Sequence, residues 1–427
     1  MIKNSPLRLN HLPLLLLPLF LMSSCSFFIK LDQSDEVIVF KTENSQKICR
    51  KTAPIVLASQ SGQSLKQLKQ RLLSVSVEKS LKPIEAFVAW SLLQIYIRPN
   101  NVSPGSAIQF MDTSSSNLEY VSYVKKNSND PFLYFNSLRD ILTKYQSKKS
   151  LSYLARIVDE IIPSQFTIDK NLATFLAKNK DSITANKRSH RFYSKGQQVL
   201  RKGEGLNTFK IWPLISQSRY LKNSTNTHLF SKQIGNGKSA HCNFDMGIYK
   251  NSIYLIDSRL GLNSHPFSLS YKGQTFMAIS SQIPNSKELY PGTYSFKPIE
   301  HGGQKAFCKI KTKNSQLTLI SSKGRDSGQH LFNLIEYKIS SAENRNDLIE
   351  LLDFPRYLFL LNPERMVYES NRSSPKQIQT FLNTSFPIYH KSNLGNIWLH
   401  YKTTSTKKSD QGLILDGRQE NSLSCSK

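Results

Sequence analysis

The side chains able to do chemistry are scattered along this chain, and every grouping of them is incomplete. Asp245, Asp257 and Glu300 fall in one strand-like region, and as paired carboxylates they would suit glycoside cleavage. His265 and His301 in the same region are available as bases. The weak catalytic candidates are therefore Asp245, Asp257, His265 and His301. His241-Cys242 sets a base beside a thiol, but neighbours on a strand point to opposite faces, which separates them. In Gly324-Arg325-Asp326-Ser327-Gly328 a serine follows an acid, yet Arg325 interrupts the Gly-Asp-Ser order and a turn before a helix explains the same residues. Ile234-Gly235-Asn236-Gly237-Lys238-Ser239 looks like half of a phosphate loop, but Lys232 stands where the first glycine is required. No two Cys or His stand at metal-ligand spacing, so neither a metal nor a cofactor is expected.

The elements that must position these residues divide by period. From about Ser64 to Arg201 the apolar residues repeat at helix spacing, as in Leu65, Leu68, Leu72 and Leu73. Pro83 opens a helix that is apolar nearly all round through Tyr96, which marks it as the central helix. Further helices are expected from Pro131, from Ser150 and around Leu172. After about Thr225 the period becomes 2, with turns every 8–12 residues; Ala306, Cys308 and Ile310 point one way, Lys305, Lys309 and Lys311 the other.

The expected class is α+β: an N-terminal helical domain followed by a β-rich, mainly antiparallel domain with a few added helices. The boundaries are a leader at 1–24, a tether and first strand at 25–50, a helical domain at 51–202, a linker at 203–224, a β-rich domain at 225–402 and a tail at 403–427.

Lys plus Arg number 57 against 30 Asp plus Glu. Such a chain is drawn to anionic surfaces, although scattered lysines also arise from coding bias. The densest cluster holds Lys187, Arg188, Arg191, Lys195, Arg201 and Lys202, with Phe192 and Tyr193 interleaved, and is the anion-binding candidate; a solvated inter-domain helix is the alternative. Cys25, Cys49, Cys242, Cys308 and Cys425 are the five cysteines. Cys242–Cys308 is the favoured disulfide because both lie in strand-like runs of one region, which leaves Cys49 for Cys425; free buried thiols remain the alternative.

Lys3 and Arg8 precede a run from Leu12 to Met22 that is wholly apolar or proline, and Ser23 and Ser24 lead to Cys25. This is a secretory leader, too short for a stable span. Leu21-Met22-Ser23-Ser24-Cys25 resembles the lipobox of bacterial lipoproteins. That resemblance covers only the first 26 residues and implies an acylated Cys25 that holds the protein on a membrane, with Ser26 favouring the outer membrane.

With no complete catalytic motif, the expected role is non-catalytic binding or scaffolding. The partner would be an anionic lipid, lipopolysaccharide, a wall polymer or another protein, with nucleic acid disfavoured by export. An envelope hydrolase acting on glycan or peptide, with its site in the β-rich domain, is the alternative.

Overall fold

The computed structural model describes residues 47–50, 55–60, 65–114, 119–123, 132–218, 226–229, 232–233, 240–244, 246–249, 252–255, 264–281, 283–284, 296–297, 306–322, 327–361, 364–369, 372, 387–391, 393–403, 410–418 and 422–424. The chain divides into two compact units, one of residues 42–353 and 395–427, the other of 1–41 and 354–394.

The larger unit is built on two seven-stranded sheets in which every pairing is antiparallel. Their strands are β1 (Lys47–Arg50), β2 (Ile55–Ser59), β3 (Ala107–Asp112), β4 (Glu119–Tyr123), β5 (Asn226–Leu229), β6 (Lys232–Gln233) and β7 (Ala240–Cys242). They continue with β8 (Ser264–Tyr271), β9 (Gln274–Ser281), β10 (Ala306–Lys311), β11 (Ser315–Ser322), β12 (Asn396–Thr403), β13 (Gln411–Leu415) and β14 (Ser422–Ser424). The first sheet runs β1-β13-β12-β11-β10-β7-β6, the second β14-β2-β8-β9-β3-β4-β5.

Ten α-helices occur among the described residues. They are α1 (Leu65–Glu78), α2 (Pro83–Ile97), α3 (Leu133–Lys144), α4 (Leu151–Ile161), α5 (Lys170–Lys178), α6 (Lys180–Ala185), α7 (Lys187–Tyr193), α8 (Trp212–Gln217), α9 (Ser327–Glu336) and α10 (Arg345–Asp353). No described helix is long and apolar enough to cross a membrane.

The layer order follows from strand alternation. Ile55, Leu57, Phe267, Leu269, Phe276 and Ala278 from the second sheet pack with α1–α4 in the largest core. Their neighbours Ala58, Met277 and Ile279 point the other way and meet Phe307, Ile320, Trp398, Leu413 and Leu415 of the first sheet. The opposite face of that sheet, with Cys308, Leu319, Leu399 and Ile414, packs on α9 and α10. The result is helix, sheet, sheet, helix. α2 is the keystone of the first layer: every residue from Ile84 to Ile97 is buried. Pro83 fits its first turn, and the Glu85 carboxylate accepts the Lys82 N–H at 2.8 Å.

The α+β, mainly antiparallel architecture is therefore the observed one. The stretch read as wholly helical also supplies β2, β3 and β4, which pair with β8, β9 and β5 of the later segment. The stretch read as a tail, 403–427, provides β13 and β14. A smaller core of Ile168, Leu172, Leu176, Ile183, Tyr193, Leu200 and Leu206 unites α5–α7 with a short hairpin and a two-stranded pair formed by Gln165–Thr167 and Gly205–Asn207.

In the second unit, Tyr357–Leu361 pairs antiparallel with Glu364–Glu369, which pairs parallel with Ile388–Lys391. Glu369 ties its ends, accepting the backbone N–H of Arg356 at 3.0 Å and of Leu394 at 2.6 Å.

Cys242 and Cys308 sit directly opposite one another on β7 and β10 and form the expected disulfide, across a separation of 66 residues. A link over that span restricts the unfolded chain substantially, so Cys308→Ala should lower stability by about 2–4 kcal/mol. Trp398→Ala removes the largest side chain of the layer between the sheets and should cost about 3–5 kcal/mol. Urea midpoints of both variants against the parent check these values.

Candidate functional site

The layer between the sheets is apolar at one level and polar at the next. Two residues along from Phe307, Ile320 and Trp398, the same faces carry Lys309, Thr318 and His400. Register places them side by side, Lys309 opposite Thr318 and Thr318 opposite His400, with Leu413 beyond. On the other flank Lys309 is paired with His241 of β7. Directly opposed strand neighbours lie about 5 Å apart at Cβ, so these residues form one row. Lys309 is 2 % exposed, Thr318 1 % and His400 3 %, while His241 is half-buried and opens the row toward solvent.

A hydroxyl between an amine and an imidazole is a combination used for nucleophilic attack on carbonyls: the hydroxyl attacks and a neighbouring base takes its proton. A lysine held out of water is also the form in which enzymes use this residue as a base. Among the described residues no cluster of three His, Cys, Asp or Glu is placed to hold a metal ion.

A second polar cluster lies on the helix side of the second sheet. Ser59 donates to Gln94 Oε1 at 3.0 Å, and His265 Nε2 lies 2.9 Å from the same oxygen and 3.4 Å from the Ser59 hydroxyl. An Oε1 that accepts from both assigns the proton to Nε2, so this nitrogen is not a base for Ser59. All three side chains are fully buried or nearly so. Next to them Arg98 donates to the Gln60 carbonyl and pairs with Asp169 at 2.9 Å, both charges being buried. The cluster is a structural lock between α2 and β2, β8 and the start of α5.

Of the expected site residues, His265 thus takes a structural role. Cys25, Asp245, Asp257, His301 and Cys425 lie outside the described residues. Cys49 is on β1, its backbone opposite Leu413. His241 and Cys242 do face opposite ways, one into the polar row and the other into the disulfide. Lys187, Arg191, Lys195, Arg201 and Lys202 are exposed, and Arg188 lies on α7 with Lys187 and Arg191. Lys195 pairs with Glu204 at 3.6 Å, and Arg201 Nη2 donates to Gln198 at 3.0 Å.

Sequence reasoning passed over Lys309, Thr318 and His400. The alternation of 305–311 reads as a sheet with one wet face, but the second face is covered by another sheet. A signal was present in Ile397-Trp398-Leu399, where large apolar residues occupy both faces of one strand.

No family model matches the sequence, and no curated protein matches it. The structure does find likenesses. It resembles LmbA2991HD with a TM-score of 0.62 at 10% identity, covering 89% of this chain and 99% of that one. It also resembles a cephalosporin acylase from Bacillus halodurans with a TM-score of 0.58 at 9% identity, covering 89% of this chain and 97% of that one. These likenesses overturn the expectation of a non-catalytic scaffold and of a protein that is not an enzyme. That expectation rested on incomplete sequence motifs, which a fold retained at such low identity need not display. The chain shares its fold with these proteins.

The buried lock can be tested directly. Gln94→Leu keeps side-chain volume but removes the acceptor shared by Ser59 and His265. A loss of about 1–3 kcal/mol in urea unfolding is expected, with far-ultraviolet circular dichroism unchanged at 25 °C.

Proposed function

We propose that this chain is an amide hydrolase of the cell envelope. The observation that carries the reading is the extent of the likeness to an acylase, 89% of this chain and 97% of the other, which is a fold-level analogy. In N-terminal-nucleophile chemistry the hydroxyl or thiol of a first residue attacks an amide carbonyl, and that residue's own α-amine takes the proton. The proton passes to the leaving amine, an ester to the enzyme remains, and water releases the acid.

An internal Ser or Thr becomes such a residue only after the chain is cut ahead of it. Ser224 and Thr225 precede β5 in the sequence and Thr227 lies within it; β5 belongs to the second sheet and the next strand, β6, to the first. A new amino terminus there would begin a segment that passes from the second sheet to the first. Buried amine and imidazole groups of the row Lys309, Thr318 and His400 supply polar chemistry in the same interlayer. The register of that row supports a second reading, in which Thr318 is the nucleophile of an uncut chain and Lys309 its base.

Intact mass, amino-terminal sequencing and hydrolysis of an acyl-anilide panel that includes a cephalosporin distinguish these. Two fragments, the second beginning with Ser224, Thr225 or Thr227, are expected, with alanine at that position abolishing cleavage and hydrolysis together. An uncut, active chain that loses at least about 100-fold in Thr318→Val and Lys309→Met establishes the second reading. An uncut chain inactive on every amide overturns both.

The leader supports a location on the membrane through acylated Cys25, at the outer membrane by the Ser26 signal. Fractionation should find the parent with membranes and Cys25→Ala soluble or unprocessed; a membrane-bound, processed Cys25→Ala would remove the anchor from this picture.

A further inference from the structure

The small core built by α5–α7 carries a groove of about 470 Å³. Lys170, Lys180, Arg201 and Lys202 line it, together with apolar residues such as Ala177 and Val199, and none of its lining residues is acidic. All four cations are exposed. The acid that follows them in the chain, Glu204, is engaged elsewhere: it accepts the Arg201 backbone N–H at 2.5 Å and pairs with Lys195 at 3.6 Å. Positive charge is therefore concentrated around a concave surface whose floor is partly apolar. A simple phosphate or a fully hydrated polymer uses only the charges, whereas a ligand with a phosphate next to a hydrocarbon portion uses both.

We propose that this groove takes the phosphate head group of an anionic lipid at a bilayer surface, with the adjoining glycerol and first methylenes against Ala177 and Val199. Lys180, Arg201 and Lys202 lie near the phosphate, and the bilayer's surface potential adds to each contact. The inference is independent of the amide-hydrolase reading, since none of these residues belongs to the interlayer row or to the entry of β5. It narrows the basic cluster to Arg201 and Lys202, and adds Lys170 and Lys180 from α5 and α6.

The test uses the mature chain with Cys25→Ala, so that acyl chains cannot mask weaker contacts. Co-sedimentation is measured with vesicles of phosphatidylcholine alone and with about one-third phosphatidylglycerol. Binding only to the anionic vesicles is expected, and Lys180→Glu/Arg201→Glu/Lys202→Glu should weaken it at least about tenfold. A control with the same change in net charge, Lys148→Glu/Lys311→Glu/Lys338→Glu, should retain most of the binding, with thermal melts showing both variants folded. Equal losses in the two variants would assign the attraction to diffuse charge and overturn the groove. Absence of vesicle binding, or binding of soluble polyphosphate through the same three residues without vesicle binding, would overturn the lipid.

Discussion

Everything in the larger unit depends on the contact between two sheets, each covered on both faces. A sheet with one wet face needs only alternate apolar residues, whereas here Ala58, Met111, Met277 and Ile279 must match Phe307, Ile320, Trp398, Leu413 and Leu415 across a dry layer. Polar groups in such a layer are costly unless they find partners. That constraint makes the presence of Lys309, Thr318 and His400 at the next level informative. A stable interlayer does not require them, and residues that break the local rule are most often found where a protein does its work.

The two sheets are held together by the path of the chain as well as by packing. Consecutive strands of the two sheets change sheet at five places, and three of these are β1 to β2, β5 to β6, and β13 to β14. The first and third of these crossings pair with each other, β1 with β13 and β2 with β14. The beginning and end of the described chain therefore close both sheets at once. The second crossing stands apart, its β5 and β6 forming the far edge of each sheet. An edge strand can be rearranged at less cost than a central one, because it gives up pairing on one side only. A chain cut ahead of β5 would free a terminus where the sheets lose least.

Local patterns in the sequence were good guides wherever one residue decided the outcome. Ser150 accepts the Tyr153 N–H as a helix cap, Pro83 starts α2, and the all-round apolar character of α2 announced its burial. The Cys242–Cys308 pairing was legible from strand positions alone. The sheet partners were not, because β2 and β3 are separated from β8 and β9 by well over a hundred residues and no local signal encodes that register. For the same reason the row of Lys309, Thr318 and His400 was invisible: its members come from three strands, and only the folded register makes them neighbours. Asp245, Asp257 and His301 drew attention as chemically able residues in a strand-rich region, a criterion that carries no information about convergence.

The buried acids bear on the choice between glycan and amide as substrate. Glycoside cleavage by the common route needs two carboxylates free to act as acid and as nucleophile or base. Four acidic side chains are buried among the described residues, Glu85, Asp169, Glu369 and Asp416, and each is committed to structure. Glu85 holds the Lys82 N–H and the Ser147 hydroxyl, and Asp169 caps α5 through the Leu172 N–H while pairing with Arg98. Glu369 accepts from the backbone of Arg356 and Leu394, and Asp416 from the Ile397 N–H and the Arg418 side chain. Each of these carboxylates is thereby tied to backbone or side-chain donors that fix the fold. Hydroxyl, amine and imidazole meet in the row of Lys309, Thr318 and His400, and groups of those kinds are the means of acyl transfer.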